Sequence, residues 1–134
     1  QDVINHGTTD IAFSPNILGA AGVTFSPFRY MKKGQVFEID VLSKYVGKQY
    51  LDNTSNDKRS ISDYGLCDMR VRYSIQTKAI REIGLSLMLN NVFDKKYVSN
   101  GYTFSYIAAR ELTTVNYYYP QAGFNFLLGV NLKW

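Results

Sequence analysis

The segment Phe124–Trp134 reads Phe-Asn-Phe-Leu-Leu-Gly-Val-Asn-Leu-Lys-Trp. Because successive side chains of a strand point to opposite faces, this segment predicts a strand with one wholly apolar face. The residues on that face are Phe124, Phe126, Leu128, Val130, Leu132 and Trp134. A tilted strand needs about 9 to 11 residues to cross a bilayer, and a terminal aromatic is typical of the membrane interface. Taken alone, the segment fits an amphipathic strand of a soluble sandwich equally well.

Four earlier segments show the same alternation, which predicts further strands. They are Ile17–Phe25, Gln35–Gly47, Leu66–Gln76 and Glu82–Phe93. The connections between the strands alternate between short and long. This pattern indicates an all-β, antiparallel up-and-down meander, in which short turns lie at one end of the sheet and long loops at the other.

The segments outside the strands are predicted to be loops. Residues 1–14 lack a sustained period and are read as a loop or as the end of a preceding strand. Asp52–Asp63 is polar, with strong turn composition and no helical period. Asp94–Tyr119 is a long tyrosine-rich segment, and its middle part, Tyr102–Tyr106, alternates as a strand does.

Composition bounds the class of protein. The chain has 134 residues, of which 46% are hydrophobic and 15% aromatic, enough for a single domain. No run approaches the roughly 18 apolar residues of a membrane helix, so any membrane crossing must be by strands. The net charge of +4 is modest and its basic residues are scattered, which disfavours a nucleic-acid patch. Since the sequence begins at Gln1 without Met or leader, we expect a processed product or a piece of something longer.

The sequence gives no reason to expect an enzyme, a metal site or a cofactor. The charged residues on the polar strand faces are not accompanied by His, Ser or Cys in a catalytic arrangement. His6 is the single histidine and is read as a solvent-exposed loop residue, and Cys67 as a small hydrophobe on the apolar face. Asp52–Asp57 has oxygen ligands but lacks the Gly and the terminal Glu of an EF-hand loop.

One block at the end of the fourth predicted strand resembles a known family. Leu89–Tyr97 reads Leu-Asn-Asn-Val-Phe-Asp-Lys-Lys-Tyr and is similar to a block near the C-terminus of TonB-dependent outer-membrane receptors. Tyr45–Tyr50, followed by Asp52-Asn53, and Tyr118–Phe124 resemble two further blocks of that family. Asn100–Tyr106 resembles versions from Bacteroidetes. The resemblance extends over essentially the whole chain from Pro15 onward.

The resemblance implies an outer-membrane barrel of about 22 strands with a plugged lumen. Residues 1–134 would supply about the last five strands of that barrel, and the plug and the segment that engages TonB would lie outside this sequence. The implied function is uptake of a scarce nutrient, such as an iron-siderophore, haem or cobalamin, driven through TonB. The implied partners are outer-membrane lipid, the plug, the other barrel strands, the TonB complex and the barrel-assembly machinery.

Three groups of residues receive roles under this interpretation. The polar strand faces would line the lumen with a ladder of ion pairs, and the last strand would present an assembly signal. Tyrosines of the last long loop, Tyr119 among them, would either stack on a flat ligand or form an aromatic girdle. The lumenal charges are Glu38, Asp40, Lys44, Asp68, Arg70 and Arg72; the assembly signal is Phe126, Leu128, Val130, Leu132 and Trp134; the ligand-binding candidates are Tyr102, Tyr106, Tyr117 and Tyr118.

An alternative from another class is a self-contained soluble β-sandwich or small barrel that binds carbohydrate or hydrophobic ligands. The two interpretations differ in the expected environment of the apolar faces. A sandwich buries Phe126, Leu128, Val130, Leu132, Val71 and Ile83 in a core, whereas a membrane barrel leaves them exposed on one face.

Overall fold

A computed structural model describes residues 7–27 and 34–134 of the chain. These residues form nine strands and a short 3₁₀ turn, so the expectation of an all-β protein is confirmed. The strands are β1 (Leu18–Phe25), β2 (Gln35–Val46), β3 (Gln49–Tyr50), β4 (Ser60–Ile61), β5 (Tyr64–Ile75), β6 (Glu82–Asn90), β7 (Val98–Ala108), β8 (Glu111–Pro120) and β9 (Asn125–Lys133), and the 3₁₀ turn is Asp57–Arg59. Within the described ranges no helix is long and apolar enough to cross a membrane.

The strands form a five-stranded sheet in the order β1-β2-β5-β6-β9 and two ribbons, β3-β4 and β7-β8. The pairs β5-β6, β6-β9, β3-β4 and β7-β8 are antiparallel. The chain divides into two compact units. We call one of them the sheet unit; its described residues are 20–27, 34–44, 65–95 and 122–134. We call the other the hairpin unit; its described residues are 7–19, 45–64 and 96–121.

The register of the five-stranded sheet aligns the apolar positions of successive strands. Val71 lies opposite Leu87, and Leu87 lies opposite Leu128 on its other side. The same holds two residues along each strand, where Leu85 lies between Tyr73 and Val130. Because directly opposed residues point to the same face, the apolar residues of β5, β6 and β9 share one face.

The opposite face of the sheet carries the charged side chains, together with Leu42 and the opposed pair Met88 and Leu127. The Thr24 hydroxyl of β1 donates to the Asp40 carboxylate of β2 over 2.7 Å. Arg72 of β5 forms ion pairs with Asp40 and with Glu38, at 3.2 and 2.9 Å. At the other side of the sheet, Lys133 of β9 pairs with Glu82 of β6 at 2.9 Å. Charged and hydroxyl groups therefore occupy one face, as the alternation predicts.

The apolar face is exposed on β9 and only partly exposed on β5 and β6, where Val71 and Ile83 are of intermediate exposure. On β9, Phe126, Leu128 and Val130 are 67%, 65% and 64% exposed, and Leu132 is 50% exposed. Among the described residues of the sheet unit, Asn91 is the only buried one. Such a large uncovered apolar surface marks a site of contact with a membrane or with another protein. The sheet unit thus has no apolar core of its own within its described residues.

The hairpin unit has a small core. Its buried apolar side chains are Val46, Leu51, Ile61 and Tyr64. Gln49, which lies between Val46 and Leu51 in the sequence, is buried as well. The β3-β4 ribbon pairs Gln49 with Ile61 and Tyr50 with Ser60. The hydrogen bond from the Leu51 N–H to the Arg59 carbonyl, at 2.8 Å, continues this ribbon toward its turn.

The prediction that Asp52–Asp63 is a loop without regular structure is wrong in part. This segment contains the 3₁₀ turn and β4, because short polar side chains satisfy its backbone locally. The Asn56 carboxamide accepts from the Lys58 N–H at 3.0 Å, and the Asp52 carboxylate accepts from the Thr54 N–H at 3.0 Å. Such contacts are typical of caps and Asx turns, and they read as loop composition in a sequence.

The prediction for Asp94–Tyr119 is confirmed for its middle, Tyr102–Tyr106, which lies in β7, and is wrong for the long loop around it. Most of this segment forms the β7-β8 hairpin, and Ala109 and Arg110 make its two-residue turn. Both turn residues have positive φ, 50° and 67°, which is the conformation that a type I′ turn requires. Since neither is Gly, Asn or Asp, the usual sequence signal for such a hairpin is missing.

The fourth predicted strand ends earlier than Phe93. β6 stops at Asn90, because Asn91 and Asp94 adopt positive φ, 50° and 49°. The Asn91 side chain exchanges hydrogen bonds with Lys95, accepting from its N–H at 2.9 Å and donating to its carbonyl at 2.9 Å. It also donates to the Ala122 carbonyl at 3.3 Å, and Asp94 accepts from the Phe124 N–H at 2.8 Å.

This set of contacts, the Asn91 bracket, ties the end of β6 to the start of β9 and to β5. The Asn91 N–H donates to the Asp68 carboxylate at 2.8 Å, and the Val92 N–H donates to the Cys67 carbonyl at 2.8 Å. The Leu89–Tyr97 block is therefore a structural element that fixes where three strands meet. Phe93 points outward and is 78% exposed.

We expect Asn91→Ala to lower the free energy of unfolding by about 2 to 4 kcal/mol, because it strains a left-handed backbone and leaves buried backbone groups unpaired. Asn91→Gly should recover the backbone part of the loss but not the hydrogen-bond part. Asn90→Ala is the matched control, since the Asn90 side chain makes a single exposed hydrogen bond to Asn125. Denaturant titration measures the difference. Equal losses for Asn90→Ala and Asn91→Ala contradict the bracket.

Candidate functional site

The β7-β8 hairpin brings aromatic side chains onto one face. Tyr102 lies directly opposite Tyr117, and the rings of the two are stacked, with centroids 4.8 Å apart and planes at 14°. Tyr119 and Phe104 flank this pair, each at 6.2 Å from one of its rings. Tyr106 continues the row at 6.1 Å from Phe104. We call this row, in the order Tyr106, Phe104, Tyr117, Tyr102 and Tyr119, the aromatic strip.

The aromatic strip is accessible along its whole length. Each of its five residues is between 44% and 52% exposed. A tyrosine offers an apolar ring and a polar hydroxyl with little conformational freedom to lose, which suits it to binding surfaces. Contiguous exposed aromatic groups of this size are unusual on a protein surface and indicate contact with a ligand or a membrane.

The opposite face of the hairpin is held by the β3-β4 region of the same unit. The Asn116 side-chain amide donates to the Lys58 carbonyl at 2.6 Å, and the Tyr118 hydroxyl donates to the Ser60 carbonyl at 3.2 Å. Gly101 permits a close approach, because a Cβ at this position would lie 2.6 Å from the Tyr117 carbonyl oxygen and 3.3 Å from the Leu51 side chain.

Arg59 is the central contact of this packed face. Its guanidinium pairs with Asp52 at 2.6 Å and donates to the hydroxyls of Ser105 and Thr114 at 2.7 and 3.1 Å. The Arg59 and Asp52 side chains are only 15% and 24% exposed. The planar guanidinium of Arg59 thus links the loop after β3 to both strands of the hairpin. A lysine ammonium cannot reproduce this geometry.

The environment of Asp52 lowers its pKa. Desolvation raises the pKa of this carboxyl, but hydrogen bonds from Thr54 and from Arg59 favour the ionised form and outweigh it. Asp57, on the same loop, has a lowered pKa because Lys48 donates to it. The ion pair of Lys48 and Asp57 is exposed, so we expect it to contribute little to stability.

The structure groups three of the four tyrosines that the sequence suggested. Tyr102, Tyr106 and Tyr117 lie in the aromatic strip, whereas Tyr118 points to the packed face and bonds to Ser60. Tyr119, which the sequence also suggested as a stacking residue, lies in the strip as well. The prediction for the site omitted Phe104, although strand alternation alone places it on the same face as Tyr102 and Tyr106.

The lumenal charges predicted from the sequence form only part of a ladder. Arg72 joins Glu38 and Asp40, as described above, and Asp68 belongs to the Asn91 bracket. Lys44 and Arg70 make no ion pair within the described part of the chain. The pair of Glu82 and Lys133 was not predicted.

The other residues that the sequence singled out do not form a site together. The proposed assembly signal lies on the exposed apolar face of β9, and Trp134, just beyond β9, is 93% exposed. Cys67 is a free thiol of intermediate exposure. His6 lies outside the described residues. No group of three or more His, Cys, Asp and Glu that could hold a metal occurs among residues 7–27 and 34–134.

Comparison with known proteins gives no relative for this chain. No protein-family model, no curated protein sequence and no solved structure matches it.

Arg59→Ala should destabilise the hairpin by about 1 to 3 kcal/mol, because it leaves the Asp52 carboxylate without its cation and two hydroxyls without their donor. Arg59→Lys should recover only part of this loss. Amide hydrogen exchange at Ser105 and Thr114 reports the change locally. Lys58→Ala is the control, since the neighbouring contact to Asn116 uses the Lys58 backbone. Protection that is unchanged in Arg59→Ala would show that the guanidinium does not hold the hairpin.

Acidification should weaken the same contact. The folded-state pKa of Asp52 lies below the value of 3.8 for an unperturbed carboxyl, so its contribution is fully present above pH 3.8 and is lost as the pH falls through the folded-state value. We expect the near-UV circular dichroism of the tyrosines to change over that range, and Asp52→Asn to reduce the pH dependence. Asp57→Asn, which removes the exposed pair with Lys48 and the hydrogen bond from the Tyr50 hydroxyl at 3.3 Å, should alter the profile less than Asp52→Asn does. A profile that Asp52→Asn does not alter contradicts the assignment.

Proposed function

We propose that this chain is the C-terminal part of the β-barrel of a TonB-dependent outer-membrane receptor. In this proposal the five-stranded sheet crosses the outer membrane, and the receptor takes up a scarce nutrient of the iron-siderophore, haem or cobalamin class, driven through TonB. The single observation that supports it most is the apolar face shared by β5, β6 and β9, which is exposed on β9 and partly exposed on β5 and β6.

The physical argument begins with that face. Burial of apolar side chains is the main source of stability in a water-soluble domain, at about 25 cal/mol per Å². The apolar residues of β9 remain half or more exposed. A hydrocarbon environment removes the cost of this exposure, and an aqueous one does not.

Strand lengths agree with a membrane crossing. β2 and β5 have 12 residues each, and β6 and β9 have 9 each. A tilted strand needs about 9 to 11 residues to cross the hydrocarbon core. β1 is shorter, with 8 residues.

The lengths of the connections between strands also support a membrane crossing. β5 and β6 are joined by the short segment 76–81, whereas the segments from β2 to β5 and from β6 to β9 contain the two ribbons. In an antiparallel meander these two long connections leave the sheet at the same end. Outer-membrane barrels have short turns on the periplasmic side and long loops outside.

Among the strands of residues 7–27 and 34–134, β1 and β9 form the two edges of the sheet. Unpaired backbone groups in lipid cost several kcal/mol each, so we infer that further strands of a larger barrel pair with both edges. The same proposal assigns a plug to the polar face, TonB to a segment outside this sequence, and the barrel-assembly machinery to Phe126, Leu128, Val130, Leu132 and Trp134.

The soluble sandwich is less well supported. It requires the apolar side chains of β9 to be buried against a second sheet, and these side chains are exposed.

Spin labelling tests the proposal. In a Cys67→Ser background, Val130→Cys and Asn131→Cys place labels on adjacent residues of β9 that point to opposite faces. With the chain reconstituted in phospholipid vesicles, we expect the label at 130 to be relaxed by oxygen, which partitions into lipid, and the label at 131 by a water-soluble nickel chelate. A chain that stays in the aqueous phase, with the label at 130 shielded from both reagents, would contradict the proposal.

A further inference from the structure

We infer that Tyr102 and Tyr117 are a site of oxidative cross-linking, at which a one-electron oxidant joins the two side chains as dityrosine. The new bond connects β7 to β8 within the hairpin unit. The inference is independent of the proposed function, because it concerns one pair of side chains and not the surroundings of the sheet. It rests on the geometry of the pair, on its exposure and on its difference from a second tyrosine pair.

The register of the hairpin holds the two rings together. Tyr102 lies directly opposite Tyr117, and directly opposed residues have Cβ atoms about 4.5 to 5.5 Å apart. The ring centroids are 4.8 Å apart and the ring planes are inclined by 14°. Phe104 stacks on Tyr117 at 6.2 Å, but it has no hydroxyl and cannot form a phenoxyl radical. Among the ring contacts of the described residues, Tyr102 is therefore the phenolic partner of Tyr117.

The pair is open to an oxidant and free to rotate. Tyr102 and Tyr117 are 44% and 47% exposed. Their hydroxyls make no hydrogen bond within residues 7–27 and 34–134, so each phenol can release its proton to water when it loses an electron. Exposed side chains rotate on the picosecond to nanosecond timescale. The rings can therefore turn from the stacked arrangement to the edge-to-edge approach that a carbon–carbon bond needs.

The reaction balances with two equivalents of a one-electron oxidant, each of which is reduced by one electron. Each phenol gives one electron to the oxidant and one proton to water, and becomes a phenoxyl radical. The two radicals combine through the ring carbons next to the hydroxyls, and one carbon–carbon bond forms. Each of these carbons then releases its hydrogen as a proton while the oxygen regains one, which restores both aromatic rings. The product has lost two hydrogen atoms in total.

A second tyrosine pair of the hairpin unit differs in exposure. Tyr64 and Tyr97 have ring centroids 4.7 Å apart, with planes tilted by 35°. Tyr64 is only 8% exposed, so packing shields its ring from an oxidant in solution and restricts its rotation. Tyr119, which also contacts Tyr102, lies 6.2 Å away and is tilted by 39°. We expect the pair of Tyr102 and Tyr117 to react before either alternative.

The cross-link closes residues 102–117 into a covalent ring that includes the turn of the hairpin. A cross-link between strands restricts the unfolded chain more than the folded chain, as a disulfide does. Oxidation therefore fixes the aromatic strip in its folded arrangement.

Photo-oxidation of the full chain in detergent micelles tests the inference. A ruthenium tris-bipyridyl complex with persulfate supplies the one-electron oxidant, and the fluorescence of dityrosine reports the yield. Electrophoresis under denaturing conditions separates chains that are cross-linked internally from dimers. We expect dityrosine in the monomer.

Mass spectrometry locates the bond. Trypsin separates the two tyrosines, because it yields the peptides 97–110 and 111–133. The expected bond joins these two peptides, and fragment spectra should assign it to Tyr102 and Tyr117. A bond within the second pair would instead join peptide 60–70 to peptide 97–110. In guanidinium chloride the preference for the expected bond should disappear, since the register no longer holds the rings together.

Matched variants that keep every ring identify the partners. Tyr117→Phe should lower the yield of dityrosine by about tenfold, because the opposed ring is then no longer a phenol held within reach. Tyr102→Phe should have the same effect. Tyr119→Phe and Tyr118→Phe should each give the yield of the unsubstituted chain. Far-UV circular dichroism verifies the fold of every variant.

Any of three results would overturn the inference. The first is a folded chain that forms no dityrosine, or forms it only in dimers. The second is a bond in the folded monomer that joins another pair of tyrosines. The third is a loss of yield in Tyr119→Phe as large as that in Tyr117→Phe. Failure of the proposed membrane function is a separate outcome, because the spin-label measurement reports insertion without any oxidant.

Discussion

The alternation of apolar and polar side chains across β5, β6 and β9 is the constraint on which the rest of the structure depends. Its register puts Val71, Leu87 and Leu128 in one line across the sheet, so the three strands share a single apolar face. That face is left uncovered, and its residues on β9 are half or more exposed. Whatever surrounds the protein must therefore supply the apolar contact that other β-proteins obtain from a second sheet.

Two sets of polar contacts organise the segments that connect the strands of the sheet. In the sheet unit the Asn91 bracket stops β6 and positions β9 through hydrogen bonds to the backbone at Lys95, Ala122 and Phe124. In the hairpin unit, Arg59 and Tyr118 bind the packed face of β7-β8, and the aromatic strip lies on the other face. Ordinary polar contacts thus determine which aromatic side chains are accessible.

The sequence predicted the five strands of the sheet to within three residues at each end, because their period of two is regular and their apolar faces are distinct. The sequence-based prediction failed where side-chain hydrogen bonds or strand pairing, and not the period of apolar residues, determine the structure. Asn91 looks like an ordinary polar residue at the end of a strand, and its bracket depends on partners 4 and 31 residues away. The β7-β8 hairpin was missed because Ala109 and Arg110 are not typical turn residues. Without that turn, Tyr118 could not be separated from Tyr117.

The central claim is that the apolar face of the five-stranded sheet contacts lipid. The most direct measurement is methyl NMR of Leu and Val in lipid bilayer discs that contain either a lipid-borne nitroxide or a water-soluble gadolinium chelate. We expect the nitroxide to broaden the signals of Leu87, Leu128 and Val130 while the chelate leaves them sharp. Broadening of these signals by the chelate, or by neither reagent, would contradict the claim.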